Sequence, residues 1–134
     1  MNAVEIEEAI SALAEQPFNP EEFPFAFLQA FNKETTLKRL RKGESNKSDL
    51  GGVLQTNNIH IAVAAPGEVT KTLAALKASP ATARAKAKFV LATDGETFEA
   101  EDLVSGETVA CTYTDFPDHF GFFLPLAGIT TVKA

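Results

Sequence analysis

The chain has 134 residues, enough for one domain that buries roughly two-thirds of the surface its unfolded chain exposes. With 45% hydrophobic and 22% charged residues it reads as an ordinary soluble globular protein, and no apolar run approaches the ~20 residues that a membrane-spanning helix needs. The opening "MNAVEIEEAI" is acidic, unlike a signal peptide, which points to a cytoplasmic protein with no membrane partner. A single cysteine, Cys111, excludes an internal disulfide, and with only two histidines no structural zinc site is expected.

In chain order, "NAVEIEEAISALAEQ" places Val4, Ile6, Ala9, Ile10 and Leu13 at helical spacing, with glutamates near the positive end of the helix dipole. "PFNPEEFPFAFLQAF" predicts a second helix with Asn19 as N-cap and Pro20 at the first helical position. Its Phe23, Phe27 and Phe31 recur every fourth residue, the pattern of a core stripe. "KETTLKRLRKGES" predicts a short third helix ended by Gly43.

The period then changes. "GGVLQT" and "NIHIAVA" are β-type runs meeting at Asn57 in a tight turn, which places strands over residues 52–56 and 59–65. Pro66-Gly67 ends the second, and "EVTKTLAALKAS" follows as an amphipathic helix with Val69, Leu73 and Leu76 on one face. A strand over 88–93 closes on Asp94-Gly95. "TFEAEDL" and "ETVACTY" form an antiparallel pair turning at Ser105-Gly106. "DFPDHFGFFLPLAG" predicts a last helix with Asp115 as N-cap. The order gives an α/β fold, a mixed β-sheet flanked by helices with an N-terminal helical segment, in a single domain over 1–134. The apolar ending "GITTVKA" suggests the N-terminal part of a longer chain.

The net charge of −6 hides a segregation. Residues 1–32 carry six acids and no Lys or Arg; residues 33–88 carry eleven of the twelve bases against four acids; residues 89–134 carry eight acids and one base, Lys133. A basic middle folded onto one face can meet phosphate despite an acidic total. Within "LKRLRKGESNKS", Lys38, Arg39, Arg41, Lys42 and Lys47 offer five cations in ten positions, while Leu37 and Leu40 anchor the helix. These five are the candidate DNA-binding residues; the plainer reading is a solvated helix face. The second basic run, "TARAKAK" over 82–88, lies on the same face or the opposite one.

Other chemistry-bearing residues have structural readings. His60 alternates with apolar neighbours and reads as a solvent-facing or satisfied histidine. His119 beside Asp115 and Asp118 lacks a nearby nucleophile and reads as part of a solvated first turn. Cys111 reads as a small buried residue, and Glu96, Glu99, Glu101 and Asp102 lack the spacing of a calcium loop. No catalytic or metal-binding residue is assigned.

The order of elements together with "KFVLATDGETFEAEDLVSGETV", "FPDHFGFFLPLAG" and "NKETTLKRLRKGESNKSDLGGVLQTNNIHIA" resembles the N-terminal domain of MmeI-like restriction-modification enzymes over about residues 20–130. In those proteins the domain precedes a helical spacer, an S-adenosylmethionine-dependent adenine-N6 DNA methyltransferase and a target-recognition domain. Nuclease-active members use it as a PD-(D/E)XK endonuclease, in which an Asp on one strand and a Glu-x-Lys on the next hold Mg²⁺ against the cleaving phosphate. The resemblance puts the Glu-x-Lys on Ala62 and Ala64 and the first Asp near Leu54 or Gln55. Asp49 alone remains as a displaced carboxylate.

The implied protein is therefore PD-(D/E)XK nuclease-like in fold but degenerate in its site, and catalytically silent by itself. It needs no cofactor in this domain, S-adenosylmethionine belonging to the methyltransferase domain. Its implied partners are the methyltransferase core of the same parent chain and double-stranded DNA. The alternatives are an independent protein-binding module using its acidic end and Phe-rich helices, and a residual metal-dependent nuclease.

Overall fold

A computed structural model describes residues 2–32, 34–43 and 46–129. Five strands form one sheet in the order β1-β2-β3-β4-β5: β1 Val53–Gln55, β2 Ile59–Val63, β3 Phe89–Thr93, β4 Thr97–Asp102 and β5 Thr108–Thr112. β1 and β2 pair antiparallel, β2 and β3 parallel, and β3-β4-β5 is an antiparallel meander. The parallel pair requires a crossover, and the chain supplies it with two helices, α4 Val69–Ala78 and α5 Pro80–Arg84. The expected mixed sheet is present, each of its first three strands one or two residues shorter than the sequence suggested.

Alternation along the strands sorts the sheet into two faces. Val53, Ile59, Ile61, Phe89, Leu91, Phe98 and Ala100 look into the main core, which also receives α1 Ala3–Glu15, α2 Phe23–Gln29 and α3 Glu34–Arg41. All eleven phenylalanines of the chain belong to this core, seven of them buried and four packed against its border. Phe98 stacks on Phe116 at 4.8 Å with the rings nearly parallel, while Phe27 and Phe123 meet edge to face at 5.1 Å. The opposite face is thinner: Ala62, Ala64, Val90 and Ala92 meet Val69, Leu73 and Leu76 of α4. Beside them Leu54 lies under Ala81 and Ala85 of α5. Over β4, Thr70 Oγ1 donates to Glu99 at 2.6 Å and Lys77 pairs with Glu101 at 2.9 Å, clasping α4 to the sheet.

Several local expectations change. Val4 is 62% exposed, and Ile6 and Ile10 alone are the buried side chains of α1. Asn19 does cap, its Oδ1 accepting from the N–H of Glu21 and Glu22, but the turn it closes precedes α2, which begins only at Phe23. The segment expected as a final α-helix is a 3₁₀ run over Tyr113–Ala127, broken by non-helical geometry at His119. Pro117 and Pro125 each remove an N–H donor from it, which prevents a continuous α-helix. Its cap residue is Thr112, not Asp115, and it ends at Gly128 with φ 76°. α5 was not anticipated, although Ser79-Pro80 is the cap-then-proline signal: Ser79 Oγ accepts from Ala81 N–H at 3.2 Å. Residues 130–134 of the "GITTVKA" ending lie outside the described residues.

Phe123 meets five other rings, those of Phe27, Phe31, Phe89, Phe98 and Phe122. Phe123→Ala is expected to cost about 3–5 kcal/mol in urea denaturation monitored by circular dichroism. A cost below about 1 kcal/mol would contradict a core centred on this ring.

Candidate functional site

The five candidate DNA contacts are all exposed. α3 buries Leu37 and Leu40, and this fixes its rotation so that Lys38 and Arg39 face solvent, with Arg41 and Lys42 at its end. The cations of its last turn also suit the negative end of the helix dipole. Arg41 differs from its neighbours. Its guanidinium donates both Nη1 and Nη2 to the Glu22 carboxylate, at 2.8 and 2.9 Å, and lies 4.9 Å over the Phe25 ring. That bidentate bond raises the Arg41 pKa and lowers that of Glu22. Arg41 therefore ties α3 to α2, and its charge is partly spent inside the molecule.

Lys47 stands apart from α3. Its backbone N–H donates to Leu54 O at 3.1 Å, while Asn46 Oδ1 accepts from Leu54 N–H at 2.9 Å, so residues 46–48 cover the outer edge of β1. The Lys47 side chain lines a cavity of about 310 Å³ together with Thr56, Ala81, Arg84 and Ala85. Thus one residue from each basic run, Lys47 and Arg84, comes to the same cleft.

The positions that the resemblance aligns with metal ligands are closed. Ala62 and Ala64 are buried in the apolar cluster under α4, and Leu54 is fully buried under α5. Gln55 is engaged, donating from Nε2 to Asn32 and accepting from Asn58, both at 2.9 Å. Asp49 accepts from Ser79 Oγ at 2.7 Å, and this bond is the main cause of its lowered pKa. Among the described residues no group of three or more His, Cys, Asp or Glu is placed to hold a metal ion. Asp115, Asp118 and His119 are exposed. Cys111 is only half-buried; desolvation first, then the charges of Asp115 and Asp118, push its thiol up and away from reactivity.

His60 is the residue whose surroundings sequence reasoning missed. It is completely buried. Thr82 Oγ1 donates to Leu76 O at 2.7 Å and so accepts from His60 Nδ1–H at 2.8 Å. His60 Nε2 then accepts from Ser48 Oγ–H at 2.7 Å. Ser48 Oγ in turn accepts the N–H of Leu50 and of Gly52, both at 3.2 Å. The histidine is neutral, fully satisfied, and joins residues 48–52, β2 and α5. A serine on a histidine has the geometry of a nucleophile and its base, but here the third group is a hydroxyl instead of a carboxylate. Two N–H donors also engage the serine oxygen. The network holds structure, tying residues 48–52 to β2 and α5. Gly52 shows how tight it is, since a Cβ there would stand 2.0 Å from Ile61 O.

The family model described as the N-terminal domain of MmeI matches residues 1–134, the whole chain. The chain belongs to the MmeI N-terminal domain family. It is thereby related to a part of restriction-modification enzymes. No curated protein and no solved structure matches it. In this MmeI-type domain the sheet face under α4 carries alanines and aliphatic side chains, and exposed cations sit on α3, around the β1 edge, on α4 and just before β3.

Burial lowers the His60 pKa, with the Asp49 charge a partial offset. A base whose pKa falls on folding contributes stability above its unfolded value, and loses it as pH falls through the folded value. Stability should therefore drop over a window that opens near the ordinary histidine pKa of about 6.5 and runs down to the lowered folded value, with a slope of at most about 1.4 kcal/mol per pH unit. His60→Gln should be less stable at the upper end yet nearly flat across that window. Urea midpoints measured at each pH decide this, and parallel slopes for the two proteins would rule out His60 as the proton acceptor.

Proposed function

We propose that this MmeI-type domain is a catalytically silent, PD-(D/E)XK-like part of a DNA methyltransferase from a restriction-modification or phage-defence system. The observation that carries the reading is the burial of Ala62 and Ala64 beneath α4, among Val69, Leu73, Leu76, Val90 and Ala92. A hydrated Mg²⁺ needs several oxygen ligands and room for water. An apolar seam closed by a helix offers neither. Methyl transfer would belong to another domain of the parent chain, where S-adenosylmethionine is bound.

The domain's own work is then to dock on the methyltransferase core and to hold duplex DNA by its backbone. Lys38, Arg39 and Lys42 support the second role, being exposed cations on one short helix whose rotation Leu37 and Leu40 fix. Arg41 contributes less to it because Glu22 already holds its guanidinium. Docking on the core would be largely polar. The exposed large apolar side chains among the described residues are Val4, Leu50 and Val104, which lie in three separate parts of the chain. A phenylalanine-based protein-binding face is disfavoured, because the phenylalanines are gathered into the core.

Two measurements test this. Supercoiled plasmid incubated with the domain and Mg²⁺ or Mn²⁺ should remain uncut; cleavage that Asp49→Ala abolishes would revive a nuclease. Anisotropy of a labelled duplex should report binding no tighter than roughly 10⁻⁵ M near physiological salt, independent of sequence and weakened by salt. The triple variant Lys38→Ala, Arg39→Ala, Lys42→Ala should weaken it without loss of fold, and equal affinities would leave α3 a solvated face.

A further inference from the structure

The cleft between α5 and the outer edge of β1 has features that the α3 surface lacks. It is concave, about 310 Å³, and its lining comes from three chain segments: Lys47 from the edge-covering stretch, Thr56 after β1, and Ala81, Arg84 and Ala85 from α5. The two basic runs of the sequence, separated by more than thirty residues, converge here. Neither Lys47 nor Arg84 has a carboxylate within ion-pair distance among the described residues, where the ion pairs are Arg41–Glu22 and Lys77–Glu101. In a chain of net charge −6, two cations without a direct ion pair among the described residues stand around one concavity.

The frame of the cleft is fixed. Asn57 N–H donates to Ala85 O at 2.8 Å, pinning the β1–β2 turn to the end of α5. Lys86 N–H donates to Ala83 O and Ala87 N–H to Thr82 O, capping that helix. Among the described residues two non-glycine residues have positive φ, Asn57 at 67° and Lys86 at 55°, one in each of these turns. A lysine in left-handed geometry occupies a place that glycine would fill with less strain, so the chain keeps a third cation two residues from Arg84 at a conformational cost. Below the cleft, Leu54, Ala81 and Ala85 make an apolar floor. Asp49 is the carboxylate whose charge Arg84 feels, and its oxygen is held by Ser79 Oγ at 2.7 Å.

From this arrangement we infer that the Lys47–Thr56–Arg84 cleft is a seat for one backbone phosphate of duplex DNA. The Arg84 guanidinium can present two parallel N–H donors to two phosphate oxygens, Lys47 adds a point charge, and the Thr56 hydroxyl donates a third kind of bond. The methyl groups of Ala81 and Ala85 suit the apolar edge of the adjoining deoxyribose. With Arg84, Lys47 and Thr56 all engaged on the phosphate, the contact positions DNA without selecting sequence. The inference rests on the DNA-backbone reading above and gives it a second, separate anchor.

The test compares the 134-residue chain with three variants: Lys47→Ala/Arg84→Ala, the charge-preserving Lys47→Arg/Arg84→Lys, and the α3 triple-alanine variant. Each is titrated against a labelled duplex at several salt concentrations by fluorescence anisotropy. The alanine pair should bind about tenfold more weakly at low salt, with the slope of log affinity against log salt flattened by about 1, for the one phosphate the cleft would hold. The charge-preserving pair should keep that slope. Independently of any variant, amide resonances of residues 47, 56 and 84–86 in the wild-type protein should shift on adding unlabelled duplex. Inorganic phosphate at the same phosphate concentration should shift them far less. Unchanged affinity and slope in the alanine pair, or no shift at these amides, would overturn the cleft. If the α3 variant then loses all binding, the DNA-backbone reading survives alone. No duplex binding by the wild type at low salt would sink both, and saturation by inorganic phosphate in place of duplex would overturn DNA as the ligand.

Discussion

Eleven phenylalanines and Tyr113 packed against one face of the sheet are the constraint on which the remaining structure depends. Rings are large and rigid, so burying them needs cover from several directions at once: α1 and α2 from the N-terminal half and the 3₁₀ run from the C-terminal end. The edge-to-face pairs of Phe123 with Phe27 and Phe98 join those two ends of the chain across the sheet. Burial of that size is the main stabilising term available to a domain this small. Tyr113, its pKa pushed up to about 12 by burial, keeps a neutral phenol within the same cluster.

The second face follows from the first. With most of the bulk committed to one side, β2 and β3 present alanines and Val90 to α4, which lets the helix come close but leaves little material to fix its end. The His60 network supplies that fixation. Its bonds run from Ser48 through the imidazole to Thr82 and on to Leu76 O, so one buried polar chain joins the edge-covering segment to both crossover helices. A buried polar group is worth keeping only when every donor and acceptor is satisfied. Among the described residues no buried side-chain nitrogen or oxygen lacks a partner. The aligned nuclease positions lie in the apolar part of this face: a carboxylate at Ala62 would enter the cluster of Val69, Leu73, Leu76, Val90 and Ala92.

Periodicity made the regular elements legible. The four-residue recurrence of Phe23, Phe27 and Phe31, the Val69-Leu73-Leu76 face and the strand alternation around Ile59 and Ile61 were all readable, because burial on one face leaves a pattern that needs no tertiary knowledge. Val4 looks apolar and in phase and yet is exposed, since the face of α1 that meets the core runs through Ala3, Ile6, Ile10, Leu13 and Ala14 and Val4 lies off it. The 3₁₀ run looked helical by its apolar spacing, and its two prolines decided otherwise. His60 was harder. A histidine between isoleucines has the same local signature whether it faces water or a threonine twenty-two residues away, and only the fold supplies Thr82. Among the candidate cations, exposure was legible from Leu37 and Leu40, but the engagement of Arg41 by Glu22 depends on how α2 and α3 meet.

Lys47 shows how a cation counted with one group can work with another. In the sequence it trails the α3 cluster, five positions beyond Lys42. In the fold Asn46 and Lys47 bind the edge of β1 through their own side chain and backbone, and this carries the Lys47 side chain away from α3 to the cleft with Arg84. Covering an edge strand guards against unwanted pairing, and charged residues there are a common means of doing so. The same cover, once it bears a lysine beside the arginine of α5, creates a positive concavity on the flank of the sheet. The two basic runs are thus placed on a convex helix face and around a walled cleft, with Lys71 and Lys77 apart on α4. Only the cleft limits how a phosphate may approach.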